Sequence, residues 1–166
     1  MICRYILIRI FYLNKCICTH ILVTMKKLTR IELCNCFAAR RAARYLTRMY
    51  ERHLGEVDLT SAQFSILVGL DEAGELTMNE LAEAMVMDRT TLLRGVQPLQ
   101  RQEMVVTRPS GVDARRLVLS LSSAGKRRLK QALVVWSQAQ LELESQIGGG
   151  EAQRLRRDLL ALAKPP

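Results

Sequence analysis

Histidine is almost missing from this chain. His20 and His53 are the only two in 166 residues, and neither stands in the pattern of acids that a nucleophilic triad needs. No glycine-rich phosphate loop follows a strand-like run. Enzymatic machinery is therefore not expected. Cysteine stops at Cys36: Cys3, Cys16, Cys18, Cys34 and Cys36 form an odd set at one end, which is no secreted disulfide framework. The two Cys-x-Cys pairs lack the spacing of a common zinc finger, so neither metal nor cofactor is expected. Long apolar runs are lacking as well. Residues 1–24 are rich in Ile, Leu, Tyr and Cys, yet Arg4, Arg9, Lys15 and His20 interrupt them. No run approaches the roughly 18–20 residues that span a bilayer, and Thr19–Met25 makes a poor secretory cleavage site. No membrane partner is expected, and the expected location is the cytoplasm. Aromatics make up only 5%, with 4 prolines and 9 glycines, which favours a mostly helical fold.

Acids are also in short supply. Asp and Glu number 16 against 25 Lys and Arg, a formal net charge of +9 that suits an anionic partner. The length is that of one ordinary domain with a core of its own. Met25-Lys26-Lys27 offers an alternative start. Residues 1–24 are accordingly expected to be a non-native or disordered extension, and residues 25–166 a single domain.

The most informative stretch runs from Leu76 to Ser122. Thr77 caps a helix, Glu80 completes a capping box, and Leu76 is placed to staple onto Leu81. Leu81, Ala82 and Met85 give that short helix its apolar face. A Val86–Met87 turn leads to Asp88, a second cap. The helix that follows places Leu92, Leu93, Val96 and Leu99 inward. Arg89, Thr90, Thr91, Arg94, Gln97 and Arg101 remain on its outer face, short or cationic groups that donate to phosphates and base edges. Two helices in this order make a helix-turn-helix. Pro98 removes the bond to the Arg94 carbonyl, and Gly95 is expected to add flexibility.

A hairpin comes next. Val105–Thr107 reads as one strand, and Leu117, Leu119 and Leu121 alternate with Val118 and Ser120 on the other. The loop between them carries Arg108, Asp113, Arg115 and Arg116, with Pro109 and Gly111 suited to its turns. An arginine-rich tip directly after a recognition helix has the composition of a wing, and an arginine there favours the negative minor groove.

Asp113, Arg115, Leu119, Leu121 and Ser122 fit the Asp-x-Arg…Leu-Thr signature of the multiple-antibiotic-resistance regulator (MarR) family, with Ser122 in place of the usual Thr. Gln63, Phe64 and the run Asp88-Arg89-Thr90-Thr91 fit it too. From about Leu33 to Ala163 the chain resembles that family of bacterial winged-helix repressors. The resemblance implies a mostly α fold with a β-hairpin wing, and a winged helix-turn-helix joined to a helical dimerisation region. Its dimerisation helices would cover about 30–54 and 122–163, and its DNA-binding lobe about 59–121. It further implies a homodimeric repressor of a pseudo-palindromic operator on double-stranded DNA, released by a small-molecule effector. The DNA-binding residues expected are Arg89, Thr90, Thr91, Arg94, Gln97, Arg108, Asp113, Arg115 and Arg116. A winged-helix module that binds only protein is the competing reading, but the exposed threonines and arginines offer few apolar anchors for it.

The flanking helices fit this frame. A helix from about Arg30 to His53 has Leu33, Phe37, Leu46 and Met49 as buried candidates, and Arg41, Arg44, Arg48 and Arg52 share one of its faces. Leu59, Thr60, Gln63 and Phe64 repeat the staple and capping box and open a helix that stops near Gly74. Ser122 caps a long helix reaching about Ile147, with Leu129, Leu133, Trp136, Leu143 and Ile147 in heptad-like spacing. Gly148–Gly150 breaks it before a last amphipathic helix marked by Ala152, Leu155, Leu159 and Leu162. Apolar cover wider than one core requires suits a second subunit. Cys36-Phe37-Ala38 resembles the peroxide-reactive motif of the family's organic-hydroperoxide branch, with Tyr50 matching one activating tyrosine and Ser61 standing where the second would fall. Redox sensing through Cys36 and Tyr50 is the alternative that this second resemblance implies, with Arg40 and Arg41 near enough to favour a thiolate.

Overall fold

The computed structural model describes residues 30–163, and the expectations for residues 1–24, with Cys3, Cys16 and Cys18, lie outside the described residues. The chain divides into two compact units, residues 1–43 and 44–166. Among the described residues of the first, a turn closed by the Cys34 N–H on the Ile31 carbonyl (3.1 Å) precedes helix α1 (Asn35–Leu54). The helix was expected to start near Arg30 and to bury Leu33. Both expectations are corrected: α1 starts at Asn35, and Leu33 lies in the preceding turn, off the helix's apolar face and exposed.

In the second unit, α1 continues to Leu54 and a 3-10 turn (Gly55–Val57) follows. Then come α2 (Ser61–Ala73), β1 (Glu75–Leu76), α3 (Met78–Ala84) and α4 (Arg89–Arg101). The chain finishes with β2 (Val105–Pro109), β3 (Leu117–Leu121), α5 (Ser123–Ile147) and α6 (Gly149–Leu162). The three strands form one antiparallel sheet in the order β1-β3-β2. This is the mostly helical, winged architecture the sequence predicts, with one strand more.

Local chemistry explains where the helices begin. Thr60 accepts from the Gln63 N–H at 3.2 Å while its own N–H donates to Gln63 Oε1 at 2.9 Å, and α2 starts there. Phe64, Ile66, Leu67 and Leu70 are buried, so α2 lies at the centre of the core and packs against α3, α4, α5 and the sheet. Phe64 stacks on Trp136 with ring centroids 6.0 Å apart. Gly95, expected to loosen α4, instead allows close approach, because a Cβ there would lie 2.9 Å from Ile66 Cδ1.

Helix ends follow two patterns. Gly74 (φ 78, ψ −54) and Gly148 (φ 86, ψ 141) end their helices at a positive φ, which glycine takes at little steric cost. Asp58 (φ 53), Val86 (φ 51) and Glu103 (φ 56) adopt it without being glycine. After each, the next N–H reaches back to a helix carbonyl: Leu59 to Leu54 (3.1 Å), Met87 to Ala82 (2.9 Å) and Met104 to Leu99 (2.9 Å). These are Schellman closures, and the buried Leu59 and Met104 supply the apolar contact that accompanies them.

An inward assignment and a strand alternation are corrected. Leu92, Val96 and Leu99 are fully buried, but Leu93 lies about 100° further round the helix and is 39% exposed. On β3, Leu117 is exposed, whereas Val118, Leu119 and Ser120 are all buried. β3 is the central strand, so simple alternation fails in its middle, and Leu117 pairs with Pro109 at the outer end of the hairpin. In α5 the inward stripe is Leu129, Ala132, Val135 and Ala139, leaving Leu133, Val134 and Leu141 exposed. Only Gly148 interrupts the last two helices, since Gly149 and Gly150 already belong to α6. No helix among the described residues is long and apolar enough to cross a membrane.

Candidate nucleic-acid interface

The site is built on α3, the turn after it, α4 and the β2–β3 hairpin. Thr77 accepts from the Glu80 N–H (3.2 Å), and Glu80 Oε2 accepts from the Thr77 N–H (2.8 Å), a complete capping box. These bonds from Thr77, more than any other influence, hold the Glu80 carboxyl below its ordinary pKa. Leu81 and Ala82 fix α3 to the core, and four residues with Val86 at positive φ join it to α4.

Asp88 opens α4. Its Oδ1 accepts from the Thr91 N–H (2.9 Å) and its Oδ2 from the Thr91 hydroxyl (2.6 Å). Those two bonds, the hydroxyl's first, lower the Asp88 pKa. Leu92, Val96 and Leu99 anchor the inner face, and α4 runs through Pro98 to Arg101. Arg89, Thr90, Arg94 and Gln97 stand exposed on the outer side. Thr91 is exposed as well, but its hydroxyl is committed to the cap. Gln100 Nε2 donates to Thr107 Oγ1 (2.9 Å), tying α4 to β2.

The wing is more ordered in its bonding than its sequence suggests. The Ser110 N–H donates to the Arg116 carbonyl (2.8 Å) and extends the ladder beyond Pro109. Asp113 shapes the tip: its carbonyl accepts from the Arg116 N–H (2.9 Å) and its Oδ1 from the Arg115 N–H (2.9 Å), an Asx-turn. Arg108 Nη2 donates to Glu75 Oε2 (3.1 Å), and Arg116 Nη2 to Glu80 Oε1 (2.7 Å). Arg115 is exposed and has no ion pair among the described residues.

The expected residues therefore fall into two groups. Arg89, Thr90, Arg94, Gln97 and Arg115 are exposed without an ion pair, while Thr91, Arg108, Asp113 and Arg116 are held by bonds within the protein. Sequence reasoning missed Glu75, Glu80 and Gln100 as tethers of the wing. The 33- and 36-residue separations of the ion pairs leave no local spacing signal.

Elsewhere, Cys34 and Cys36 are free and exposed. The Tyr50 hydroxyl donates to Gln140 Oε1 (2.9 Å), and burial pushes its pKa up against the opposing charge of Arg156. Glu142 accepts from Arg52 (2.6 Å) and lies 2.8 Å from His53 Nε2, the latter bond doing most to lower its pKa. Among the described residues no group of three His, Cys, Asp or Glu is placed to hold a metal.

Comparison with known proteins gives a consistent set. The family model described as the MarR family matches residues 57–116. The HTH-type transcriptional regulator SarZ of Staphylococcus aureus (strain USA300) is 28% identical over 91 residues, 55% of this chain. The chain spans 62% of the length of that relative. The M. tuberculosis transcriptional regulator MosR, solved in complex with DNA, is 35% identical with a TM-score of 0.68, covering 78% of this chain and 93% of its own. A probable transcriptional regulator from Pseudomonas aeruginosa is 27% identical with a TM-score of 0.71, covering 80% of this chain and 99% of its own.

Proposed function

This chain belongs to the MarR family of transcriptional regulators, and from that premise we propose that it is a homodimeric repressor that binds a pseudo-palindromic operator. The observation that carries this reading is the pairing of one open helix face with one open wing arginine. Arg89, Thr90, Arg94 and Gln97 on α4 are exposed, short or cationic, and suited to the major groove. Arg115 at the wing tip is exposed and suited to the narrow minor groove beside it. The DNA-bound state of MosR supports a DNA partner.

A second copy of the chain is the partner that the apolar surface suits. Leu133, Val134 and Leu141 on α5, with Leu155, Leu159 and Leu160 on α6, are exposed and apolar along two packed helices. Two subunits related by a two-fold axis would present two reading heads to two half-sites, one helical turn apart. A small apolar effector has a groove of about 560 Å³ to occupy, lined by Phe64, Val68, Leu76, Leu81 and Met85. Ligand bound there would press on the apolar cluster that α2, α3 and α5 share.

The test is an operator titration at fixed salt, using DNA footprinted at the neighbouring promoter. Arg94→Ala should change the preferred sequence, and Arg115→Ala should weaken binding most at A·T-rich flanks, each by about 1–3 kcal/mol. The same samples should sediment as dimers. Undiminished, sequence-unchanged binding by both variants would place the DNA surface elsewhere.

A further inference from the structure

We propose that Glu75 and Glu80 are positioning residues for DNA recognition, clasping the wing by both of its strands so that Arg115 alone among its arginines is left to reach DNA. The proposal rests on the DNA-reading function above and adds the device that aims the wing. Arg108 leaves β2 and meets Glu75 on β1 at 3.1 Å. Arg116, at the entry to β3, meets Glu80 on α3 at 2.7 Å. The two tethers thus seize the hairpin from opposite strands and fix it to two different elements of the helix-turn-helix lobe. Ser110 adds a longer bond to Glu75 Oε1 at 3.4 Å.

Glu80 is already oriented when Arg116 reaches it. Its Oε2 accepts from both the Thr77 N–H (2.8 Å) and the Thr77 hydroxyl (2.8 Å), leaving Oε1 for the arginine. A carboxylate held by a helix cap loses little further freedom on pairing, so the contact specifies position efficiently. Both ion pairs are substantially exposed, and pairs of that kind contribute little to global stability. Their effect is on the direction of a two-stranded ribbon that extends past the core and would swing about its base if untethered.

The sign of the DNA effect separates this role from a bystander's. An acid beside a phosphate-binding surface repels DNA, so neutralising it should tighten binding. A clasp acts in the opposite sense, because neutralising it lets the wing wander and dilutes the contribution of Arg115. Glutamine is the informative replacement, since it still serves a capping box.

The experiment uses the full chain carrying Glu75→Gln and Glu80→Gln together, beside Arg116→Ala, which leaves the α3 cap intact. Hydrogen exchange is first followed without DNA. Amides of the outer hairpin, residues 107–117, should exchange about tenfold faster in both variants, with the thermal midpoint and the exchange of α2 unchanged. Operator affinity should fall about tenfold in the glutamine variant, and adding Arg115→Ala to it should cost much less than in the wild type. Tighter binding with unchanged wing exchange would overturn the clasp. Faster wing exchange in a protein whose affinity ignores Arg115→Ala would retain the clasp and overturn the DNA-reading role of the wing.

Discussion

Replacing Gly125 by alanine sets two large effects against each other. Gly125 lies in the first turn of α5, where alanine is intrinsically better by up to about 1 kcal/mol. A Cβ there, however, would meet the Met104 carbonyl oxygen at 2.2 Å and the Met104 carbonyl carbon at 3.0 Å. Ordinary C–H···O contacts lie at about 3.3–3.6 Å, so backbone would have to part from backbone by roughly 1 Å. Met104 is poorly placed to yield. Its N–H donates to Leu99 (2.9 Å), its carbonyl accepts from the Ser122 N–H (3.0 Å), and its side chain is buried. Overpacking at a fixed site costs about 1–3 kcal/mol, and losing the Ser122 bond adds about 0.5–1.5 kcal/mol. After the gain in propensity, Gly125→Ala should destabilise by about 0.5–3.5 kcal/mol, lowering the thermal midpoint roughly 2–4 °C per kcal/mol. Gly150→Ala is the control: it is helical, nothing lies within 4 Å of its added Cβ, and it should be neutral or slightly stabilising. Urea unfolding followed by circular dichroism, at one protein concentration, reads both. A Gly125→Ala protein as stable as the wild type would refute the close approach of α5 to Met104.

Two further outcomes follow from the local geometry. Val86 is a β-branched residue at φ 51 and is 70% exposed, so Val86→Gly removes strain while burying no less; it should raise stability by up to about 1 kcal/mol, and a lower urea midpoint would mean the turn needs the valine. Glu80, Asp88 and Glu142 all have lowered pKa values, so their contribution is fully present above their ordinary values of 4.5, 3.8 and 4.5 and is lost as pH falls through the lower folded values. A stability titration should therefore be flat in these groups from neutrality to about pH 5 and decline below, less steeply in Asp88→Asn, which keeps a cap but cannot titrate; equal acid limbs would remove Asp88 from the account.

What the sequence disclosed was set by how local each signal is. Thr60, Thr77, Asp88 and Ser122 cap the helices assigned to them, because an N-cap and its partner lie three residues apart. Gly74 announced a helix end for the same reason. The Val86–Met87 turn was legible, but its left-handed residue was not, nor were Asp58 and Glu103: none is glycine, and the bonds from Leu59, Met87 and Met104 back to helix carbonyls hold them there. β1 is two residues long, too short to alternate, and exists only through its pairing with β3, Glu75 opposite Ser120 and Leu76 opposite Leu119. Leu93 follows the buried Leu92 in sequence, but the helix turns it about 100° away, and the alternation of β3 fails where the strand is covered on both faces. The wing's composition was legible, but which of its arginines is open was not, since their acid partners are remote in the chain.

The residues that start the helices also join the elements. Glu80 caps α3 and holds the wing. Ser122 caps α5, accepting from the Gly125 N–H (3.0 Å), while its hydroxyl donates to the Glu103 carbonyl (2.6 Å) and its N–H to Met104. The end of α4, the start of β2 and the first turn of α5 therefore move as one piece or break several bonds together. Apolar packing enforces the same unity, because Leu129, Ala132 and Val135 of α5 share one cluster with the cores of α2, α3 and α4. Beyond Ala139 the character of α5 changes. There it is bonded to α1 through polar side chains: Tyr50 to Gln140, Arg52 to Glu142, and Tyr45 to Gln146 (2.6 Å). Such partly exposed bonds exchange for water at small net cost, whereas the buried cluster does not. A signal that shifts α1 against the far half of α5 thus meets a soft joint, and one that reaches Leu129 moves the reading head whole. Under the proposed function, release from DNA would then come from a changed spacing of two rigid heads, with the internal geometry of each head preserved.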